Sequence, residues 1–190
     1  MSDRIAADIE IALTYKLDPR QIVDDALDMR RRMERERRAK GAWDVKRRPG
    51  GILDIEFIAQ TGQLLLAQQG QYQRCANTAA QITSLESAGL LTAAEAQSLR
   101  QTMRLWLNLS QIIRTAHGSG FDPNSASKAF AQRLSGVAEQ ADIHALGELV
   151  ETRADEVRRI FEICLGKMQE DATDCAPRFV EWSARPQSGD

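Results

Sequence analysis

Apolar residues recur at every third or fourth position along most of the chain, which is the spacing that places them on one face of an α-helix. The clearest examples run from residue 92 to about residue 117 and from residue 142 to about residue 168. Segments with the same period begin near residues 19, 52 and 77, and few segments show the alternation typical of strands. The pattern predicts an all-α protein whose long helices pack as an up-and-down bundle.

Side chains at the predicted helix starts support these boundaries. Asp18 precedes Pro19, as at an N-cap followed by a proline in the first turn. Thr92 and Glu95 have the spacing of a capping box, and Asp142 is the expected cap of the last helix.

The residues between the first two helices carry turn signals rather than a helical period. Gly41 is expected to end the first helix, and residues 43–46 are predicted to be extended. Pro49 disfavours helix at the residue before it, while Gly50 and Gly51 permit positive φ angles. Apolar residues then cover most of the circumference of the second helix, which predicts a central position in the core.

The composition is that of a soluble helical domain. The 190 residues are 43% hydrophobic, 27% charged and only 5% aromatic, which fits one helical domain better than a β-sandwich. No apolar stretch reaches the ~18 residues that a membrane span needs, and the N-terminus lacks the pattern of a signal peptide. Three scattered cysteines have neither metal-ligand spacing nor a disulfide pattern, so we expect reduced thiols in the cytoplasm.

Positive charge is concentrated in one segment, although the net charge of the chain is −2. Residues 30–48 contain ten Lys or Arg side chains against three Asp or Glu, a net +7, which leaves −9 for the remainder. A local positive field of this kind favours phosphate, a nucleotide or an acidic protein surface. The arginine run from Arg30 to Arg38 is interpreted as a solvated helix face with Glu34 and Glu36 interleaved, and contact with a nucleotide or a partner domain is the alternative.

Residues 44–60 carry the strongest functional signal, a basic segment followed by a glycine turn and the start of a helix. The glycines allow the backbone to approach another group closely, and the first-turn amides of a helix can receive an anion, with Lys46 as countercharge. Asp54 and Glu56 lie two residues apart and therefore do not share one helix face. One of them is expected to face a neighbouring domain while the other holds the preceding loop, and the sequence leaves open which does which. A purely structural turn is the alternative for the whole segment.

The residue types in this segment also resemble a known family. In order, they are Lys46, Gly50, Gly51, Asp54, Ile55, Glu56, Phe57 and Gln60. This set is similar to the signature of the bacterial glutamine synthetase adenylyltransferases, and residues 28–33 (Asp-Met-Arg-Arg-Arg-Met) resemble an upstream element of the same family. Asp54 before Ile-Glu-Phe looks more like the C-terminal, adenylylating half of those enzymes than the deadenylylating half. The similarity is strongest from residue 18 to residue 66.

The resemblance implies a division of the chain. Residues 1–17 would be the end of a preceding nucleotidyltransferase region, and residues 18–168 a helical bundle of the type that binds substrate beside such a domain. Residues 169–190 contain two prolines and no clear period, so we expect an irregular C-terminal tail.

The resemblance also implies a chemistry for the intact enzyme, which would transfer AMP from ATP to a tyrosine of glutamine synthetase and so regulate nitrogen assimilation. Such transfer uses Mg²⁺ held by clustered carboxylates, commonly after a Gly-Ser pair. Gly118-Ser119 is present here, but no Asp-x-Asp strand follows it. We therefore expect no catalytic residue or metal ligand in this chain and no cofactor bound to it alone. The implied partners are glutamine synthetase, the PII signal protein and the adjoining nucleotidyltransferase domain, in the cytoplasm.

The residues expected near nucleotide or near the junction with that domain are Arg30, Lys46, Gly50, Gly51, Asp54 and Glu56. In this hypothesis Lys46 meets phosphate, and Asp54 or Glu56 orients a basic residue or a metal-bound water.

Two other functions compete with this interpretation. A free-standing helical protein-interaction module without catalysis fits the same helices and explains the unfamiliar tail. A nucleic-acid-binding bundle is the weakest alternative, because aromatic residues are not interleaved with the basic ones for stacking on bases. We therefore expect neither nucleic acid nor membrane as a partner.

Overall fold

The computed structural model describes the backbone of residues 16–117 and 121–182, and the side chains of residues 16–116 and 121–171. These residues form six α-helices and one short 3₁₀ turn, with no strand among them. In chain order they are α1 (Pro19–Glu36), α2 (Ile52–Gln68), α3 (Thr78–Ser87), α4 (Ala93–His117), the 3₁₀ turn (Pro123–Ser125), α5 (Lys128–Gly136) and α6 (Ile143–Trp182). The all-α bundle predicted from the sequence is confirmed.

Hydrogen bonds at the helix starts confirm the predicted caps. The Asp18 carboxylate accepts from the amide of Arg20 at 3.0 Å. The amide of Thr92 donates to the Glu95 carboxylate at 2.9 Å, and the amide of Glu95 donates back to the Thr92 hydroxyl at 3.3 Å. Asp142 accepts from two amides of the first turn of α6. Each cap satisfies amides that the helix itself leaves without an acceptor.

Helix α2 occupies the middle of the bundle, as its all-round apolar pattern predicts. It packs against α1, α3, α4 and α6. Eleven of its 17 residues are buried, and Ile55, Ile58 and Ala59 have no exposed surface. The core continues into α4 and α6, where Trp106 is its largest fully buried side chain. The start of α2 is therefore fixed on several sides by other helices.

Helix α6 crosses the bundle antiparallel to α1. The side chain of Gln169 donates to Asp24 near the start of α1, and Arg158 donates to Glu34 near its end. One face of α6 thus lies along most of α1, which brings residues more than 100 positions apart into contact.

The C-terminal boundary differs from the prediction. Helix α6 continues to Trp182, where an irregular tail was expected from residue 169. Residues 169–182 contain no glycine, and the helix continues through Pro177 although proline disfavours a helix interior. The predicted tail beyond residue 182 and the predicted domain end within residues 1–15 lie outside the described residues.

Within the described part of the chain, no helix is both long enough and apolar enough to cross a membrane.

Candidate functional site

The segment between α1 and α2 is a series of turns, so the prediction of extended structure at residues 43–46 is wrong. The amide of Asp44 donates to the Gly41 carbonyl at 3.1 Å, and the amides of Arg47 and Arg48 both donate to the Asp44 carbonyl at 3.0 Å. Helix α1 ends at Glu36, five residues before the predicted stop at Gly41. The structure therefore uses this polar segment to build a compact loop, whose last part, residues 45–51, we call the junction loop.

The junction loop covers the N-terminus of α2. The amide of Ile52 donates to the Val45 carbonyl at 2.9 Å, and the amide of Leu53 donates to the Lys46 carbonyl at 3.2 Å. The amide of Gly51 donates to the Arg48 carbonyl at 3.0 Å. These amides are thus satisfied within the chain, and the anion site expected at this helix start is not formed by them.

Gly50 is required by both its conformation and its surroundings. Its φ angle is +74°, and a Cβ atom at this position would lie 1.9 Å from the Ala154 carbonyl oxygen of α6. The Gly50 carbonyl accepts from the indole nitrogen of Trp106 at 3.0 Å. At Gly51, a Cβ atom would lie 2.6 Å from the Val45 carbonyl oxygen. The glycines therefore serve close packing of the loop against α6 and against itself.

The carboxylate of Asp54 fastens the junction loop to α2. Its side chain has no exposed surface, and its Oδ2 atom accepts from the amide of Gly50 at 2.7 Å. Its Oδ1 atom accepts from Nε of Arg30 at 2.5 Å, and Arg158 reaches Oδ2 at 3.3 Å. Of the two carboxylates that the sequence left unassigned, Asp54 is thus the one that holds the loop.

Arg30 is buried, although the arginine run to which it belongs was predicted to be a solvated face. It lies on the inner side of α1 and is only 2% exposed. Besides Asp54, it reaches Glu34 at 3.2 Å, and its Nη2 atom donates to the carbonyls of Arg47 and Arg48 at 3.5 and 3.4 Å. The buried guanidinium therefore connects α1 directly to the junction loop.

Arg158 completes what we call the ion cluster, namely Arg30, Glu34, Asp54 and Arg158. Its Nη1 atom donates to Glu34 at 2.8 Å as well as to Asp54. Burial alone would lower the pKa of Arg158, but the charges of Asp54 and Glu34 outweigh burial and raise that pKa. Cations and anions are balanced in the cluster, which is the arrangement that makes buried charge tolerable. Arg158 could not be identified from the sequence, because it lies 104 residues from Asp54 and stands in an ordinary helical pattern.

A second ion pair fastens the junction loop to α6 at the surface. Arg48 donates to both carboxylate oxygens of Glu151, at 3.1 and 2.5 Å, and to the Ala42 carbonyl at 2.9 Å. A forked contact of this kind fixes direction as well as distance. The loop is therefore held to α1 by Arg30, to α2 by Asp54 and to α6 by Arg48.

The six residues predicted near the junction fall into two groups. Four are buried parts of the loop support: Arg30, Gly50, Gly51 and Asp54. The other two lie at the surface, with Lys46 exposed and Glu56 half-buried. Among the described residues, no side-chain hydrogen bond or ion pair is formed by Lys46 or Glu56. These two side chains are therefore available to another group.

The described residues do not form a metal centre. They contain no group of three or more His, Cys, Asp or Glu side chains that could hold a metal ion. Both oxygens of Asp54 already accept from guanidinium or amide donors, so Asp54 does not fit as a ligand for Mg²⁺.

One family model matches residues 25–165, and its description is GlnD PII-uridylyltransferase. The matched range includes the ion cluster, the junction loop and most of the bundle.

Similar proteins are bifunctional glutamine synthetase adenylyltransferase/adenylyl-removing enzymes. The protein from Bradyrhizobium diazoefficiens is 33% identical over 163 residues, which cover 86% of this chain and 16% of that protein. The protein from Rhodopseudomonas palustris is 32% identical over the same length and the same shares. The protein from Caulobacter vibrioides is 42% identical over 112 residues, or 58% of this chain and 11% of that protein. The chain thus spans about one sixth of the length of the first two relatives.

Proposed function

Because this chain belongs to the bacterial glutamine synthetase adenylyltransferase family, we propose that it is the helical accessory domain of such an enzyme, following a nucleotidyltransferase domain in the adenylylating half. In this proposal the intact enzyme attaches AMP from ATP to a tyrosine of glutamine synthetase in the cytoplasm, and the PII signal protein regulates it. The observation that carries the proposal is the junction loop, which is fastened to three helices yet presents Lys46 to solvent.

The rigid support of the loop is the reason to assign it a contact role. A group that must meet a nucleotide or a neighbouring domain gains from being held in place before binding, since less ordering is needed on contact. The ion cluster and the Arg48–Glu151 pair hold the backbone just after Lys46, and Arg48 also donates to the Ala42 carbonyl before it. Lys46 would then provide a positive charge for the phosphates of a nucleotide bound in the adjoining domain.

Glu56 has a different place in the proposal. It lies five residues after Gly51, is half-buried and is not used by the ion cluster. A carboxylate there fits the orientation of a basic side chain of the adjoining domain. ATP, Mg²⁺ and the carboxylates that hold the metal belong to that domain, so the role of this chain is positioning rather than bond making.

The test uses the intact enzyme that contains this chain. We expect Lys46→Met to lower kcat/KM for AMP transfer by about tenfold or more, since a charge near the transferred phosphate is lost. The melting temperature should stay within about 1 °C of the unmodified enzyme, because changes at exposed residues have small effects on stability. The measurement is the initial rate of AMP incorporation into glutamine synthetase at varied ATP.

Lys128→Met is the matched control, because Lys128 is an exposed lysine on α5 and the substitution is the same. It should leave the rate unchanged. If Lys46→Met and Glu56→Gln both transferred AMP at the rate of the Lys128→Met enzyme, the site would be misassigned.

A further inference from the structure

A second surface of α1 lies away from the junction loop. Arg30 points inward, and at 100° per residue Arg32 lies about 200° further round the helix. Met29, Arg31, Arg32 and Arg35 are all exposed, and we call them the basic face. This surface is therefore separate from the one that carries Lys46.

The positive charge of the basic face is open to a partner. Arg35 forms no ion pair with any described carboxylate. Arg31 pairs with Asp28, and Arg32 with Glu36, but in both pairs each side chain is more than 60% exposed. Solvent-exposed pairs within one helix are weak, so an incoming carboxylate can replace either partner. Since the chain outside residues 30–48 carries −9, the basic segment is where an acidic surface would be attracted.

An exposed methionine at the edge of the basic face favours a protein partner over a nucleic acid. Met29 is 57% exposed, the largest value among the exposed large apolar side chains of the described residues. Met29 and Arg32 are neighbours at i and i+3, as are Arg32 and Arg35, so the apolar and basic groups form one continuous surface. Methionine and arginine are both enriched in protein–protein interfaces.

The same surface fits nucleic acid poorly. Asp28 and Glu36 interrupt the arginines, so the basic face does not present the continuous line of cations that follows a phosphate backbone. The nearest aromatic residue in sequence, Trp43, is half-buried and packs edge-on against Phe121 with ring centroids 5.4 Å apart, so it is not free to stack on a base.

We propose that the basic face of α1 is the docking surface for an acidic patch on the protein substrate, with Met29 as an apolar anchor at its edge. The inference rests on the proposed function, since an enzyme that modifies one tyrosine of a large protein needs contact area beyond that side chain. Docking and nucleotide contact then occur on different sides of α1.

The test uses the intact enzyme, varies the concentration of glutamine synthetase and determines KM and kcat separately. Arg32→Glu/Arg35→Glu should raise KM for glutamine synthetase about tenfold with kcat unchanged, and should flatten the dependence of KM on salt. Arg104→Glu/Arg114→Glu is the control, because both arginines are exposed on α4 and the charge change is the same; its KM should change less than about twofold. Met29→Gln should raise KM severalfold at both low and high salt, because an apolar contact is not screened.

The outcomes separate failure of the docking face from failure of the proposed function. Equal KM values for the basic-face and α4 variants overturn the docking face while AMP transfer stands. A fall in kcat without a change in KM assigns the basic face to the chemical step and also overturns docking. The partner would be nucleic acid instead of protein if the unmodified enzyme bound duplex DNA tightly and in a salt-dependent way, and if the basic-face variant lost this binding while its KM for glutamine synthetase stayed unchanged. If the unmodified enzyme transfers no AMP, the affinity of the enzyme for glutamine synthetase is measured directly in the absence of ATP. The docking face is then overturned if the Arg32→Glu/Arg35→Glu change does not weaken this binding.

Discussion

Replacement of Asp54 by asparagine tests the ion cluster with the smallest change of shape. Asparagine keeps an oxygen that can accept from the Gly50 amide, but it removes the negative charge beside Arg30 and Arg158. The cluster then holds two cations against the anion Glu34, while Glu162, which lies outside the cluster, still pairs with Arg158 at 2.8 Å. Because Arg30 is 2% exposed, water cannot replace the lost carboxylate.

The expected loss can be estimated from these contacts. Breaking a buried ion pair by removing one partner costs about 3–5 kcal/mol. Glu34 still lies 3.2 Å from Arg30, so we expect the lower end, about 3 kcal/mol. For a domain of this size that corresponds to a fall in Tm of about 6–12 °C. The loss should be nearly the same at low and high salt, since a buried pair is poorly screened.

Urea unfolding followed by far-ultraviolet circular dichroism measures this loss on the chain itself. Glu56→Gln is the matched control, because it makes the same chemical change two residues along α2 at a half-buried carboxylate outside the cluster. We expect the control to lose less than about 0.5 kcal/mol. An Asp54→Asn loss below about 1 kcal/mol, or a loss that disappears at high salt, would refute the account of a buried, charge-balanced cluster.

Two further predictions concern backbone packing and thiol chemistry. In urea unfolding, Gly50→Ala should destabilise the fold by at least about 2 kcal/mol more than Gly89→Ala. Both residues have positive φ, but of the two only Gly50 would clash with α6 if it carried a Cβ atom. Equal losses of unfolding free energy in the two variants would show backbone strain without a packing effect. Burial, with a smaller contribution from the nearby Glu95 carboxylate, raises the pKa of the Cys164 thiol to about 12. In a Cys75→Ser/Cys175→Ser chain Cys164 is the remaining cysteine, and it should react with a disulfide reagent at about pH 8 only after unfolding. Rapid labelling of that folded variant would contradict the burial of Cys164.

The features that could be predicted from sequence are those set by residues close together in the chain. The caps at Asp18, Thr92 and Asp142 depend on amides two or three residues away, and all three form as expected. The apolar circumference of α2 likewise predicted its central position. Helical period and capping are short-range properties, and the structure confirms them.

The features that could not be predicted depend on contacts between distant segments. Arg30 looks like its exposed neighbours in sequence, and only packing against α2 and α6 makes it the buried member of the run. Arg158 and Ala154 gave no local signal, although they close the site from α6. Local turn signals correctly predicted a loop before Ile52, but which carbonyls cap that helix depends on how the loop folds back. Whether Lys46 and Glu56 meet another domain stays a prediction.

The long separation between Asp54 and Arg158 has a consequence for the order of folding. During synthesis, the junction loop leaves the ribosome about 100 residues before Glu151, Ala154 and Arg158 do. Until then the loop has no α6 to pack against, and the carboxylate of Asp54 lacks one of its cations. Contacts of such high sequence separation form late, because the intervening chain must be ordered first. The surface that presents Lys46 is therefore completed only by the last helix, so an unfinished chain does not carry it in its final form.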